Sequence, residues 1–299
     1  MGVYNDTRYL QEAIESILNQ TFGDFEFIII DDGSSDGTRE ILGEYKNKDS
    51  RIKIIHQENI GLTKSLNKGI KLAQGEYIAR MDADDISLPE RLEKQVEFLD
   101  KNLEIAAVGT FAKIIDDEDR VIGEHKPPIE HSAIKKAMFF SGQICHPSAM
   151  FRKDVILELG GYDENFKYAQ DYDLWFRLAS AEQHRNEINL EGRRNEISVE
   201  GRRNTGSQNY AENNKIKGYK LANIPEFLFL WRETKQGIGI KNKKEQRKFA
   251  QKARRRTIKS GLYPWYYIFF MMWSYLRPLI PARFKKAIRR LFVDSDTNL

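Results

Sequence analysis

Apolar positions recur at helical spacing in "YLQEAIESILNQTF", where Leu10, Ile14, Ile17 and Leu18 share one face, and the pattern then changes to the unbroken apolar run "FEFIII". A strand that apolar has no wet face, so a helix followed by a buried parallel-sheet strand is predicted. "TREILGEY" reads as the crossover helix, "RIKIIH" as the next strand, "LTKSLNKGIKLA" as another helix and "EYIARM" as a third strand. This alternation predicts an α/β fold, a mostly parallel central sheet flanked by helices.

After the third strand comes "ARMDADDISLPERL", which crowds Asp82, Asp84 and Asp85 into a strand-to-helix loop. Ser87 and Glu90 have capping-box spacing, and Leu92, Val96 and Leu99 form the apolar stripe behind them. A second acidic stretch, "DDGSSDG" at 31–37, follows an earlier strand. Ligands of open parallel sheets gather beyond the carboxyl ends of the strands, so the two acidic loops are expected to share one site. Asp36 is expected to serve as a turn or cap residue.

With 299 residues, 40% hydrophobic and 31% charged, the chain can bury a full core and carry an appendage. The single cysteine, Cys145, excludes an internal disulfide framework; it fits a reducing compartment and a buried, inert thiol. No leader is expected before the first helix. The net charge of +4 conceals a polarity: residues 1–120 carry 15 Lys/Arg against 25 Asp/Glu, and residues 241–299 carry 16 against 3. An acidic, cation-binding half and a basic tail are expected.

Residues 185–202 hold a tandem nine-residue repeat, "RNEINLEGR" then "RNEISVEGR", too short for a solenoid and polar enough to be a surface insertion spanning about 181–217. The domain should therefore run over 1–235, with a basic, aromatic C-terminal helical tail at 236–299. Within that tail "LYPWYYIFFMMWSYL" is too short to span a bilayer and is flanked by Lys/Arg clusters. It reads either as an interfacial anchor on an anionic membrane surface or as a helix pair packed on the domain or a dimer partner. Its aromatics lie among aliphatics instead of alternating with Arg and Lys, which argues for lipid and against nucleic acid.

An Asp-x-Asp pair offers hard oxygen ligands to Mn²⁺ or Mg²⁺ while leaving positions for a substrate's phosphates, which explains the crowding. No Gly-rich basic phosphate loop stands near the first strand, so nucleotidyl transfer is disfavoured.

Several motifs then occur in one order: "VYN" at 3–5, "AIESILNQTFGDFEFIIIDDGSSDGT" at 13–38, "ENIGLTKSLNKGIKLAQGEYIARMDADDISLPERL" at 58–92, "HPSAMFR" at 146–152, "GGYDENFKYAQDYDLWFRLA" at 160–179 and "NIPEFLFLWR" at 223–232. Together they resemble the inverting, GT-A fold glycosyltransferases of family two, which use nucleotide sugars. The resemblance implies that Tyr4 and Asp32 contact the base and ribose of the donor, a UDP-sugar above all, and that Asp82 and Asp84 form the metal and diphosphate motif. Asp171, in "AQDYDLW", matches the general base, although Gln170 stands where the family often has Glu. Asp173 and Trp175 match positions that shape the acceptor side. His146 either lines the acceptor pocket or is a packed, hydrogen-bonded residue. Trp231 and Arg232 either touch the diphosphate or form a surface Arg–Trp stack.

The implied activity is inverting transfer to a saccharide or lipid-linked acceptor in cell-surface polysaccharide synthesis, by a cytoplasmic protein peripheral on the inner face of the plasma membrane. The alternative is a truncated, non-catalytic nucleotide-sugar-binding or scaffold protein. What motivates the alternative is the start of the chain: the family pattern opens with a further apolar strand before "VYN", so the first strand is expected to be missing and the native start to lie upstream.

Overall fold

The computed structural model describes residues 1–180, 219–234 and 242–268. The tandem repeat at 185–202 and the aromatic segment beyond residue 268 lie outside the described residues. The chain divides into two compact units, Met1–Ala250 and Gln251–Leu299.

The first unit opens with β1 (Gly2–Val3), α1 (Leu10–Leu18), β2 (Phe27–Asp31), α2 (Thr38–Lys48), β3 (Ile52–His56) and α3 (Leu62–Leu72). β1, β2 and β3 form a parallel sheet in that order, with Gly2 opposite Ile30 and Ile30 opposite Ile55. The periodicity of α1 has the expected consequence: Leu10, Ala13, Ile14 and Ile17 are buried together with Ile29 and Phe27 of β2. The chain opens on a strand of only two residues, Gly2–Val3.

The second sheet is built from β4 (Tyr77–Ala79), β5 (Ile86–Ser87), β6 (Ile105–Ile115), β7 (Val121–His125), β8 (Met150–Arg152) and β9 (Lys220–Arg232). Its order is β4-β8-β6-β9-β5, with β7 paired to β6. The β6–β9 pair is parallel, whereas β4 is antiparallel to β8, so "EYIARM" is an edge strand of a mixed sheet and does not continue the first sheet. Helices α4 (Arg91–Lys101), α5 (His131–Met138) and α6 (Lys153–Glu158) fall between these strands. A further helix, α7, covers residues 170–180, and α8 is Lys243–Lys259.

The capping box expected at Ser87 and Glu90 does not form, because Ser87 is drawn into β5 and its N–H donates to Ser16 Oγ at 3.1 Å. Gln20, from beyond α1, caps α4 instead. Its Oε1 accepts the Leu92 N–H at 3.0 Å, and its Nε2 donates to the Leu88 carbonyl at 2.8 Å. A distant amide thus satisfies an N-terminal donor that the local side chains leave open.

Candidate active site

Three loops converge on one edge of the first unit. The first follows β2. Asp31 is fully buried; burial pushes its carboxyl up, but hydrogen bonds from His56, Ser34 and Arg39 outweigh that and hold it below the usual carboxylate range. Its neighbour Asp32 accepts the backbone N–H groups of Ile60 at 3.0 Å and Gly61 at 2.9 Å, and the Gln57 side chain at 2.7 Å. Asp32 therefore fixes the start of α3 through the orphan donors of a helix entrance. Asp36 accepts from the Thr38 hydroxyl at 2.6 Å and is a turn residue, as expected.

Tyr4 lies at the end of β1 with about half of its surface exposed, at 53%. The next residue, Asn5, has φ of 51°, and its side chain accepts the Ser35 N–H while its own N–H donates to Ser34 Oγ. The turns after β1 and β2 are thereby locked to one another.

The second loop, residues 80–85, leads from β4 into β5. Ligand atoms of Asp82, Asp84 and Asp85 all lie within 4.8 Å of one another. The three carboxylates differ in what they are free to do. Asp85 is 1% exposed, and its Oδ1 accepts the Arg232 N–H at 2.7 Å. Burial, and then the charges of Asp84 and Asp82, push its carboxyl well above the usual range. Burial and the charges of Asp82 and Asp6 lift Asp84 to about 7. Asp82 pairs with Arg80, which is itself 5% exposed, and keeps 32% of its own side chain accessible. Asp82 and Asp84 are the available ligands, and an all-oxygen set of this kind suits Mg²⁺ or Mn²⁺.

The third element is the loop leading into α7. Asp171 sits in the first turn of that helix, two residues after Ala169, whose φ of 54° is left-handed. Such a conformation costs about 1–2 kcal/mol in a residue with a Cβ, and here it precedes a candidate catalytic carboxylate. Burial raises the Asp171 carboxyl above its ordinary value, while the Tyr172 N–H and the charge of Arg80 pull it down and that of Asp82 pushes it up. Asp171 and Asp82 thus share the field of one buried guanidinium. Helix α3 braces this loop: Asn67 Nδ2 donates to the Tyr162 carbonyl at 2.9 Å and Thr63 Oγ1 to that of Phe166 at 2.9 Å. Gly161 is required there, since a Cβ would meet Asn67 Oδ1 at 2.6 Å and its φ is 72°.

The three residues expected on the acceptor side lie below the surface. Trp175 is fully buried; Asp173 is 2% exposed and paired with Arg177 at 2.8 Å. His146 is 8% exposed, bonded through Nε2 to the Tyr162 hydroxyl at 2.8 Å, with its ring edge-on to Trp175. Burial, aided by Arg80, pushes the imidazole well below its usual range, so it is neutral. These groups form the packed wall behind Arg80 and Asp171. Cys145 is buried, and burial raises its thiol to about 12, in keeping with an inert role.

Sequence reading missed two arginines and misplaced a third. Arg80 and Arg91 sit within the motif and are almost completely buried. Arg232 does not form a surface stack with Trp231. Its guanidinium is 0% exposed, donates to the Asp84 carbonyl at 2.8 Å and the Asp116 carbonyl at 3.1 Å, and pairs with Glu12 and Asp119 over the Tyr9 ring. It ties the acidic loop to β9 and the hairpin after β6. "LFLWR" gave no hint of this, because the partners are scattered over more than two hundred residues of sequence. Arg232→Met is expected to lower stability by roughly 2–4 kcal/mol and kcat/KM by at least about tenfold through loosening of Asp84. Thermal melts and steady-state kinetics check both; unchanged kinetics in a folded variant would contradict the clamp.

Residues 1–160 match the family described as Glycosyl transferase family 2. The chain belongs to that family. The match contains Asp82 and Asp84 and stops before Asp171. An uncharacterized glycosyltransferase of Haemophilus influenzae is 36% identical over 254 residues, covering 80% of this chain and 74% of that protein. The O-antigen biosynthesis glycosyltransferase WbnJ of Escherichia coli is 41% identical over 181 residues, 60% of this chain and 69% of WbnJ. A relative from Methanocaldococcus jannaschii is 42% identical over 181 residues, and this chain spans 62% of its length.

Among solved structures, Staphylococcus aureus TarS 1–349 in complex with UDP-GlcNAc aligns with a TM-score of 0.59 at 16% identity, over 84% of this chain and 63% of that one. The mannosyltransferase PcManGT from Pyrobaculum calidifontis, in complex with GDP-Man and Mn²⁺, aligns with a TM-score of 0.56 at 16% identity, over 86% of this chain and 62% of that one. The fold is that of GT-A glycosyltransferases.

Proposed function

We propose that this member of glycosyl transferase family 2 transfers a sugar from a nucleotide-diphosphate sugar to an acceptor hydroxyl with inversion, in the synthesis of a cell-surface polysaccharide or lipid-linked oligosaccharide. The observation that carries the reading is the pairing of two available carboxylates, Asp82 and Asp84, with a separate half-buried carboxylate, Asp171, in the field of Arg80. Relatives and neighbours support the class of donor: the TarS and PcManGT structures hold UDP-GlcNAc and GDP-Man, and WbnJ is named for O-antigen biosynthesis. A UDP-sugar is the donor we favour.

Inversion needs a base on one face of the sugar and charge stabilisation on the other. Asp171 takes the proton of the acceptor hydroxyl as its oxygen bonds to the anomeric carbon, while the bond from that carbon to the diphosphate oxygen breaks. Asp82 and Asp84 would hold Mn²⁺ or Mg²⁺, which neutralises the charge that builds on the leaving diphosphate. Tyr4 offers an exposed ring to the nucleotide base. Asp32 sets the loop beneath it, and Arg232 holds the carbonyl of Asp84 so that its carboxylate keeps one orientation. His146, Asp173 and Trp175 shape the acceptor side by packing.

Helix α8 bears Lys and Arg at nine of its positions against one Glu, and Trp265 beyond it is 71% exposed. Basic and aromatic groups in this order fit peripheral attachment to an anionic inner-leaflet surface. No helix among the described residues is long and apolar enough to cross a membrane.

A screen of nucleotide-sugar donors for nucleoside diphosphate release, with and without Mn²⁺, tests the reading. Release from none of them, with tight donor binding retained, would favour a binding protein. The pH profile adds a second check. A base works as the carboxylate, so activity is lost as pH falls through its pKa, and the raised value of Asp171 puts that loss above the ordinary aspartate range. Arg80→Gln removes a charge that lowers this pKa, so the acid limb is expected to move to higher pH. An unmoved limb would separate Asp171 from the Arg80 field.

A further inference from the structure

Helix α8 has little with which to hold itself to the protein: over Lys243–Lys259 it carries nine Lys and Arg, and Phe249 is its one aromatic residue. A helix that charged docks through few apolar positions. Phe249, Ala253 and Thr257 follow at four-residue spacing and share one face, on which Ala253 and Thr257 are buried and Phe249 is half-buried. Phe249 belongs to the first unit, which ends at Ala250.

The Phe249 ring meets two rings of the loop between α6 and α7. Its centroid lies 5.7 Å from that of Phe166, with the planes at 51°, and 6.1 Å from that of Tyr168, with the planes at 60°. Tilted and edge-on pairs of this kind are favourable. Phe166 is fully buried, and Thr63 of α3 already holds its carbonyl. Tyr168 lies two residues beyond that anchor and is half-buried against Phe249, with the Lys167 ammonium 5.8 Å from its ring centre. Next comes the left-handed Ala169, whose carbonyl accepts the Asp173 N–H at 3.2 Å in the first turn of α7.

Strained backbone persists only where its surroundings over-determine it. The hydrogen bond into α7 fixes Ala169 from one side. Tyr168 fixes it from the other, and Phe249 packs on Tyr168. Asp171 stands two residues past the strained position, so relaxation of Ala169 toward the right-handed region would re-aim the first turn of α7 and the carboxylate with it.

We propose that Phe249 is a positioning residue for sugar transfer: by clamping Phe166 and Tyr168 it holds Ala169 in its left-handed conformation and so aims Asp171 at the acceptor hydroxyl. It acts through the loop and not on the substrate. The inference rests on the reading of Asp171 as the base and adds α8 to the machinery of transfer.

The test compares the full chain with Phe249→Ala, which removes both ring contacts, and Phe249→Tyr, which keeps them. Phe249→Ala is expected to lower kcat for nucleoside diphosphate release by roughly 10–100-fold while UDP affinity in Mn²⁺ stays within about twofold of the parent. Amide exchange at Asp173, whose N–H bonds the Ala169 carbonyl, should quicken by at least about tenfold. Phe249→Tyr should match the parent in all three. A kcat of Phe249→Ala within about twofold of the parent, or UDP binding weakened as much as kcat, would overturn the proposal. An equal loss in Phe249→Tyr would do the same. Exchange needs no turnover, so it separates this inference from the reading beneath it. Unchanged exchange in Phe249→Ala overturns the positioning role whatever the activity; faster exchange, with no donor turned over by the parent, supports the hold on the loop and counts against sugar transfer instead. Should Phe249→Ala fail to fold, Phe249→Leu takes its place, with at least about a threefold loss of kcat expected and an unchanged kcat contradicting the proposal.

Discussion

Replacing Asp171 with Asn is expected to lower kcat by roughly 10²–10⁴-fold while donor affinity stays within about twofold of the parent. The amide cannot take the acceptor proton, but it preserves the volume and the helix-entry geometry of α7. Asp171 is not one of the three clustered aspartates, so the metal and diphosphate end of the site should keep its ligands. The variant also removes a half-buried carboxylate whose charge is disfavoured by partial desolvation, so its folded state is expected to be at least as stable as the parent. A stable, donor-binding, inactive protein is therefore the predicted phenotype. Donor titration beside single-turnover transfer reads it directly, and a fully active Asp171→Asn protein would remove the base from the account.

Asp84→Ala should act on the opposite face. Loss of one carboxylate ligand is expected to cost transfer at least about 10³-fold, or about 4 kcal/mol, and to abolish stimulation by Mn²⁺. Its effect on the fold has the other sign from most buried truncations. Asp84 is crowded by Asp82, Asp6 and its own burial, which is why its carboxyl rises to about 7. Removing it relieves repulsion, and the metal-free variant should melt no lower than the metal-free parent. Arg232 bonds the backbone carbonyl of residue 84, so that anchor survives the substitution. Melting curves with and without Mn²⁺ check this: the parent should gain stability on adding the ion, and the variant should not.

Much of the first sheet was legible because its signals are local. The periodicity of α1 and the apolar run of β2 need no partner to be recognised, and both appear where the pattern places them. The acidic loop was legible for the same reason, since three aspartates within four positions require a cause. What stayed hidden depends on distant chain. The pairing of β4 with β8 joins Ile78 to Phe151, and no pattern within "EYIARM" distinguishes an antiparallel edge from a parallel core strand. Gln20 capping α4 in place of Ser87, and Arg232 clamping the loop, follow from tertiary placement alone. Trp175 was read from motif position, which says nothing of depth, and it lies in the wall behind the site, whereas His146 follows the packed, hydrogen-bonded one of its two readings.

The central claim is that Asp82 and Asp84 join a divalent cation to the diphosphate of the donor. Calorimetric titration of UDP into the protein, with Mn²⁺ and then with excess chelator, tests it most directly. The account predicts binding that strengthens at least about 100-fold with Mn²⁺ and that loses this dependence in Asp84→Ala. UDP binding of equal strength with and without the ion would contradict it.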